Sequence, residues 1–445
     1  MTSLIIASMR GRVGAYSALV LTVLLGTVLT GGFASLIETG AASGLSAADA
    51  ETLTTMGTAI GSWGAVLVFF TVISTVTITV RQRHNELTQL RTIGATNGQI
   101  RAFVCMETSI ISLLSAIAGL LPGWFLGRIL LRAIGDAGMV DTDISHAFGL
   151  ATATILVCGM VALSAGATAL ACLRVTRQVA ASVDDVDRYL LPRSRVILGS
   201  FLVLSTLVMC IVATVVSVES DDPWLAMQLA GSLSIAASVG LGVLAPPVLR
   251  LMAAGIMPTL GRNTPVYLAT RALGRRTLRS SAILLPVVVF VGVSVGGLTM
   301  MLIHNTVSDT GMLAESDTVE LLNYVVVGII ALFAGIMVVT TVTAAIVDRE
   351  RELSRLRLVG VSHAEALWSI TVESILVSAV GALLGVAGSL ATIFPIAIAR
   401  LDSPLTSKAT WIAAGVVGLA LILCVGTAWI VARRTVDRRS YAMAT

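Results

Sequence analysis

The residues able to do chemistry in this chain are few, and their spacing rules out most enzymatic roles. Lysine occurs once, as Lys408 in Ser-Lys-Ala. A phosphate-binding loop needs Gly-x-x-x-x-Gly-Lys-[Ser/Thr], because its lysine neutralises the β- and γ-phosphates; no such loop can be written here. The four histidines (His84, His146, His304, His363) and five cysteines (Cys105, Cys158, Cys172, Cys210, Cys424) show no ligand or disulfide spacing. No metal site is expected, and the cysteines read as small buried hydrophobes. No nucleophile–base arrangement is visible, so no catalytic residue is expected. Two acids stand out by their surroundings: Glu107 and Glu373 sit at matched positions about three helical turns into the helices that carry the third and ninth apolar runs. A carboxylate there is costly unless it is bonded. The expectation is structural, with each acid held by a neighbouring Ser, Thr or Arg.

The strongest pattern is a doubled one. Shifting the chain by 266 residues (83 to 349) lays Arg83-His-Asn-Glu86-Leu87-Thr-Gln-Leu90-Arg91-Thr-Ile-Gly94 over Arg349-Glu-Arg-Glu352-Leu353-Ser-Arg-Leu356-Arg357-Leu-Val-Gly360. The register continues with Glu107 over Glu373, Ser112 over Ser378, Ala116 over Ala382 and Gly119 over Gly385. Leu87 and Leu90 recur at helical spacing opposite Arg and Gln, which predicts a short amphipathic helix. Gly94 and Gly360 stand where a C-terminal cap belongs. Thr96-Asn-Gly-Gln99 and Ser362-His-Ala-Glu365 both fit the capping-box pattern. Each segment therefore predicts a surface helix, a glycine turn and then a capped helix. Such a helix, with exposed Leu and Arg, can dock in a groove of a soluble partner.

The elements that position these segments follow from charge. The chain of 445 residues is 56% hydrophobic and only 12% charged, with a mean hydropathy of +0.94. A soluble domain carries about 25% charged residues. Ten runs nearly free of ionisable side chains reach the ~20 residues that cross a bilayer: 13–37, 52–80, 108–127, 147–173, 196–218, 223–249, 280–303, 321–347, 374–399 and 409–432. None alternates as a barrel strand does. The predicted fold is an all-α polytopic membrane protein with ten transmembrane helices, arranged as two parallel four-helix repeats plus two linking helices. The boundaries are 1–180 for the first repeat, 181–255 for a linker with two spans, and 256–445 for the second repeat. Spans 5 and 6 have no counterpart in the repeat and are expected as a peripheral tether. Gly119, Gly123 and Gly127, with Gly292/Gly296 and Gly381/Gly385, give Gly-x-x-x-Gly steps that predict close helix packing.

Sidedness orients the spans. With the N-terminus inside, 25 of the 29 Lys and Arg fall on the inner side, and only Arg128, Arg132, Arg400 and Lys408 fall outside. The outer segments hold 14 of the 25 acids. This bias predicts that both termini are cytoplasmic. The pI near 9.0 reflects that topology and not a nucleic-acid surface.

At the doubled segments the sequence resembles the FtsX/MacB superfamily of ABC permeases, marked by Glu-Leu-x-x-Leu-Arg-x-[hydrophobic]-Gly after the second span of a four-span unit. A ten-span chain with two such units is similar to the single-chain permeases of the BceB-like branch. The resemblance implies a permease in a bacterial cytoplasmic membrane, in contact with membrane lipid and worked by two copies of a soluble ABC ATPase. ATP and Mg would be bound by those partners, with no cofactor in this chain. It assigns ATPase coupling to Glu86, Leu87, Leu90, Arg91 and Gly94, and to Glu352, Leu353, Leu356, Arg357 and Gly360. The large extracellular domain of that branch has no room here, because the connections 38–58 and 304–320 are too short for a folded domain. Uncharged spans favour export or extraction of a hydrophobic or amphipathic cargo such as a peptide or lipid; no substrate-binding residue can be named. The alternative is mechanotransmission, in which ATP-driven movement regulates a cell-envelope partner without transport.

Overall fold

The computed structural model describes residues 13–42, 44–82, 92–179, 193–219, 229–260, 277–308, 317–347, 362–400 and 407–442, with Gln89, Tyr267, Ala269 and Leu273. Among them are ten long helices and no strand. They are α1 Val13–Gly40, α2 Ala47–Gln82, α3 Asn97–Asp136, α4 Leu150–Val179, α5 Arg193–Glu219, α6 Leu233–Leu260, α7 Thr277–Ser308, α8 Asp317–Val347, α9 His363–Arg400 and α10 Ser407–Ala442. Each contains a stretch long and apolar enough to span a bilayer. Helices are the form such sequences must take, because every backbone N–H and C=O has to be satisfied inside the segment when lipid replaces water.

Several helices outrun their charge-free stretches. At 40 residues, α3 is about 60 Å long, roughly twice the hydrocarbon thickness. Its uncharged 108–127 segment is only the middle of it. The 38–58 connection is mostly helical as well: α2 starts at Ala47, where Ser46 accepts the Asp49 N–H at 3.1 Å and donates to the Asp49 carboxylate at 2.6 Å.

The chain forms two compact units. The first comprises Met1–Val186 with Glu315–Val326, and the second Asp187–Ala314 with Val327–Thr445. In the first unit α1 lies between α2 and α3, burying Leu19, Val23, Phe33 and Leu36. Hydroxyls turn inward to bond helix backbone or one another. Thr22 meets Thr75 between α1 and α2 at 3.3 Å, and Thr108 meets Thr168 between α3 and α4 at 2.9 Å.

The predicted glycine contacts are made, and they repeat. A Cβ on Gly119 of α3 would stand 2.8 Å from the Leu24 carbonyl oxygen and 2.9 Å from Thr27 Cβ of α1. A Cβ on Gly385 of α9 would stand 2.8 Å from the Val288 carbonyl oxygen and 2.7 Å from Val291 Cβ of α7. Each glycine faces a carbonyl and the side chain three residues on, so the same helix crossing is built twice.

The two spans of the expected linker 181–255 are α5 and α6. Helices α5 and α6 belong to the second unit, and they differ sharply. About 83% of the apolar stretch of α7 is buried and 61% of that of α6, against 17% for α5. Only α5 is peripheral, presenting Phe201, Leu204 and Ile211 outward. Helix α6 packs against α7 and α9 because its small residues allow it: Ser238 nests on Gly292 of α7 and Gly388 of α9. The start of α6 is also stitched to α9. Thr392 Oγ1 donates to the Ala230 carbonyl at 2.7 Å and accepts the Ser234 N–H at 2.9 Å. That hydroxyl replaces the rung that would join residues 230 and 234 in an unbroken helix.

Cysteine burial is mixed. Cys172 and Cys424 are buried, Cys105 and Cys210 half-buried, and Cys158 exposed on the unit's surface. The expected burial therefore holds for Cys172 and Cys424 and fails for Cys158.

Candidate functional site: the N-terminal ends of α3 and α9

Of the ten residues expected to couple the chain to an ATPase, the structure describes Gly94. Glu86, Leu87, Leu90, Arg91, Glu352, Leu353, Leu356, Arg357 and Gly360 lie outside the described residues. Gly94 has φ +100°, the left-handed region that glycine enters at no steric cost. Nothing approaches its Cβ position within 4 Å, so the backbone conformation and not a lack of space demands glycine. The Ile93 N–H bonds to the Gln89 carbonyl at 3.2 Å just before the turn.

Beyond the turn, both capping boxes form. Thr96 accepts the Gln99 N–H at 3.3 Å while Gln99 Oε1 accepts the Thr96 N–H at 3.0 Å. At the repeat position Ser362 accepts the Glu365 N–H at 3.3 Å and Glu365 Oε2 accepts the Ser362 N–H at 3.0 Å. Reciprocal bonds of this kind satisfy two of the donors that a helix start leaves open. They make the first turn of each helix stiff.

The buried faces that follow are in register. On α3 they are Ile100, Val104, Glu107, Thr108, Ile111 and Ser112; on α9, Ala366, Ile370, Glu373, Ser374, Val377 and Ser378. Every pair is 266 residues apart, and Glu107 and Glu373 are both buried. Glu107 accepts a hydrogen bond from the Tyr16 hydroxyl of α1, which ties the start of α3 to α1. The acceptor was legible in the sequence and the donor was not: Tyr16 lies 91 residues away and has no tyrosine counterpart on α7.

Removing that hydroxyl has a predictable effect. Tyr16→Phe is expected to destabilise the first unit by about 0.5–1.5 kcal/mol, the net range for an intramolecular hydrogen bond. Tyr16→Phe is measured by thermal melting in detergent, and a melting temperature equal to the parent's would show that the contact carries no stability.

One exposed side chain was missed in reading the motif for coupling. Ile93 fills its hydrophobic position, yet it is 83% exposed. A large apolar residue beside a rigid glycine turn, left outside its own fold, is a candidate contact for a partner. The motif signalled it, since a hydrophobic residue before the glycine is part of the pattern.

Among the described residues these helix starts present no acid–base pair or nucleophile. The described parts are an exposed Ile93, a glycine turn at Gly94, and two capped helices, α3 and α9, each rooted in the bundle through a buried face. A model of the FtsX-like permease C-terminal family matches residues 58–179 and 324–438, more than half of the chain. The two matches start within α2 and α8 and run through α3–α4 and α9–α10. No curated protein matches the sequence. Members of that family typically pair with soluble ABC ATPase subunits. A duplicated match over these helices, with ten membrane-spanning segments, means that the chain belongs to the FtsX-like permease family and is a multi-pass permease component of an ABC transporter system.

Proposed function

We propose that this chain is a pseudo-dimeric permease of an ATP-driven exporter or extractor of hydrophobic or amphipathic molecules. In this reading two copies of one soluble ABC ATPase dock on the segments Glu86–Gly94 and Glu352–Gly360. The single observation that carries it is the duplicated helix start, with matched capping boxes and buried faces at one register. Each ATPase closure would push one segment, and the stiff first turn would pass that displacement into α3 or α9. Both termini are cytoplasmic, in a bacterial cytoplasmic membrane, because 25 of 29 basic residues then lie inside. ATP and Mg are held by the partners, since the only lysine, Lys408, cannot serve a phosphate loop. Glu86, Arg91, Glu352 and Arg357 supply the charged rim of the docking helices, and Leu87, Leu90, Leu353 and Leu356 the apolar centre.

The test is reconstitution in liposomes with a co-expressed ATPase. The chain alone is expected to show no turnover above background. The complex is expected to hydrolyse ATP and to respond to amphiphiles but not to sugars. Turnover by the repurified chain alone, or failure of every ABC ATPase of the source genome to co-purify, would overturn the proposal.

A further inference from the structure

The α3–α4 connection is tied down more firmly than its length requires. The Gly149 N–H bonds to both oxygens of Glu38 at 2.9 Å, and the Ala147 N–H bonds to Thr39 Oγ1 at 3.1 Å. His146 Nε2 lies 3.0 Å from Ser35 Oγ, and its ring stands edge-on to Trp124 at 5.7 Å. Gly127 makes room for that pair, because a Cβ there would run into Ser35 Oγ. Burial and the nearby Arg128 lower the His146 pKa against the opposing pull of Glu38.

Between this loop and α3 lies a cavity of about 420 Å³, lined among others by Trp124, Arg128, Arg132, Asp136, Asp141 and His146. Trp124, Arg128 and Arg132 are spaced one helical turn apart, which places them on one face. The Arg128 guanidinium lies over the Trp124 ring at 5.4 Å. Among the described residues neither arginine forms an ion pair with Asp136 or Asp141, although all four line the same cavity. Only four of the 29 basic residues lie on this side of the bilayer, and two of them are here. The uncharged run of α3 ends at Gly127, so Arg128 marks the headgroup level, where Trp is also favoured. Beside the polar row runs an apolar one at the same spacing: Leu121, Phe125 and Ile129 are 64, 50 and 60% exposed.

We propose that this cavity binds the headgroup of a phospholipid carrying a phosphate and a primary amine, as in phosphatidylethanolamine. Arg128 and Arg132 take the phosphate and Asp136 and Asp141 take the ammonium. The acyl chains lie along Leu121, Phe125 and Ile129. Charges of both signs on one cavity, not neutralised by each other, match a ligand that carries both. Charge-assisted contacts of this kind are the strong hydrogen bonds. A quaternary amine has no N–H to give Asp136 or Asp141, and an anionic glycerol headgroup has no cation. The site needs no ATPase, so its test is independent of the transport reading.

The experiment is native mass spectrometry of the purified full chain, delipidated and then given equimolar phosphatidylethanolamine, phosphatidylcholine and phosphatidylglycerol with identical acyl chains. Retention of the ethanolamine lipid is expected to exceed that of the other two about tenfold, the ratio that one charge-assisted contact of ~1.4 kcal/mol provides. Arg128→Gln with Arg132→Gln is expected to remove the retained lipid. Asp136→Asn with Asp141→Asn is expected to leave a bound lipid but erase the preference over phosphatidylcholine. All four side chains are exposed, so the variants should fold, and unchanged melting temperatures check this. Equal retention of the three lipids, or a preference that survives the arginine variant, would overturn the proposal. Displacement by millimolar O-phosphorylethanolamine would reassign the site to a soluble headgroup and overturn the lipid assignment.

Discussion

Replacing Leu90 and Leu356 together by aspartate is expected to abolish association with the ATPase subunits. Each single change is expected to weaken it. In the proposed assembly both leucines sit at the apolar centre of a docked helix, flanked by Arg91 and Arg357 on the rim. Centrally buried anchors dominate interface energy, typically at 2 kcal/mol or more each, roughly 30-fold in affinity. Aspartate does worse than truncation, because a carboxylate must be desolvated in a groove shaped for leucine. Two sites in one chain make the losses compound, since binding at one raises the effective concentration at the other. The measurement is co-purification of the detergent-solubilised complex, with thermal melting of the isolated chain as the folding control. Both leucines lie outside the membrane-spanning runs, four residues before Gly94 and Gly360, so the melting temperature should stay near that of the parent. Recovery of an intact complex from the double variant would remove the coupling role from these segments.

The second large effect is expected inside the bundle. Gly119→Ala and Gly385→Ala are each expected to destabilise their own unit by about 1–3 kcal/mol, the cost of forcing added volume into a close-packed site, and the valine variants should fail to fold. The reason lies in what a new Cβ would strike. At both positions a backbone carbonyl oxygen stands 2.8 Å away, and backbone cannot rotate aside as a leucine tip can. The helices would have to separate, losing dispersion contacts along a whole crossing in a medium where packing holds helices together. Gly166→Ala and Gly418→Ala are the matched controls, because nothing lies within 4 Å of their Cβ positions. Helix propensity favours alanine there by up to about 1 kcal/mol. Thermal melting that ranks Gly119→Ala beside Gly166→Ala would contradict the close approach of α3 to α1.

What the sequence determined by itself follows from terms that act locally or along the chain. The ten spans were legible because a charge in hydrocarbon costs several kcal/mol. The capping boxes at Thr96 and Ser362 were legible because a cap joins residues three apart. The duplicated segments were legible because duplication preserves register. Tertiary structure decided the rest. In lipid both the packed and the outward face of a helix are apolar, so hydrophobic periodicity carries no signal of which side packs. For that reason α6 could be mistaken for part of a tether, although Ser238, Gly292 and Gly388 place it in the core of the second unit. The same holds for pairings that span long stretches of chain. The Tyr16–Glu107 bond, the Thr392 hydroxyl in the α6 ladder, and the cavity that brings Arg128 and Arg132 beside Asp141 and His146 all depend on helix crossings. Those crossings are set by small residues and hydroxyls meeting across helices, and complementarity of that kind exists only once both surfaces are folded.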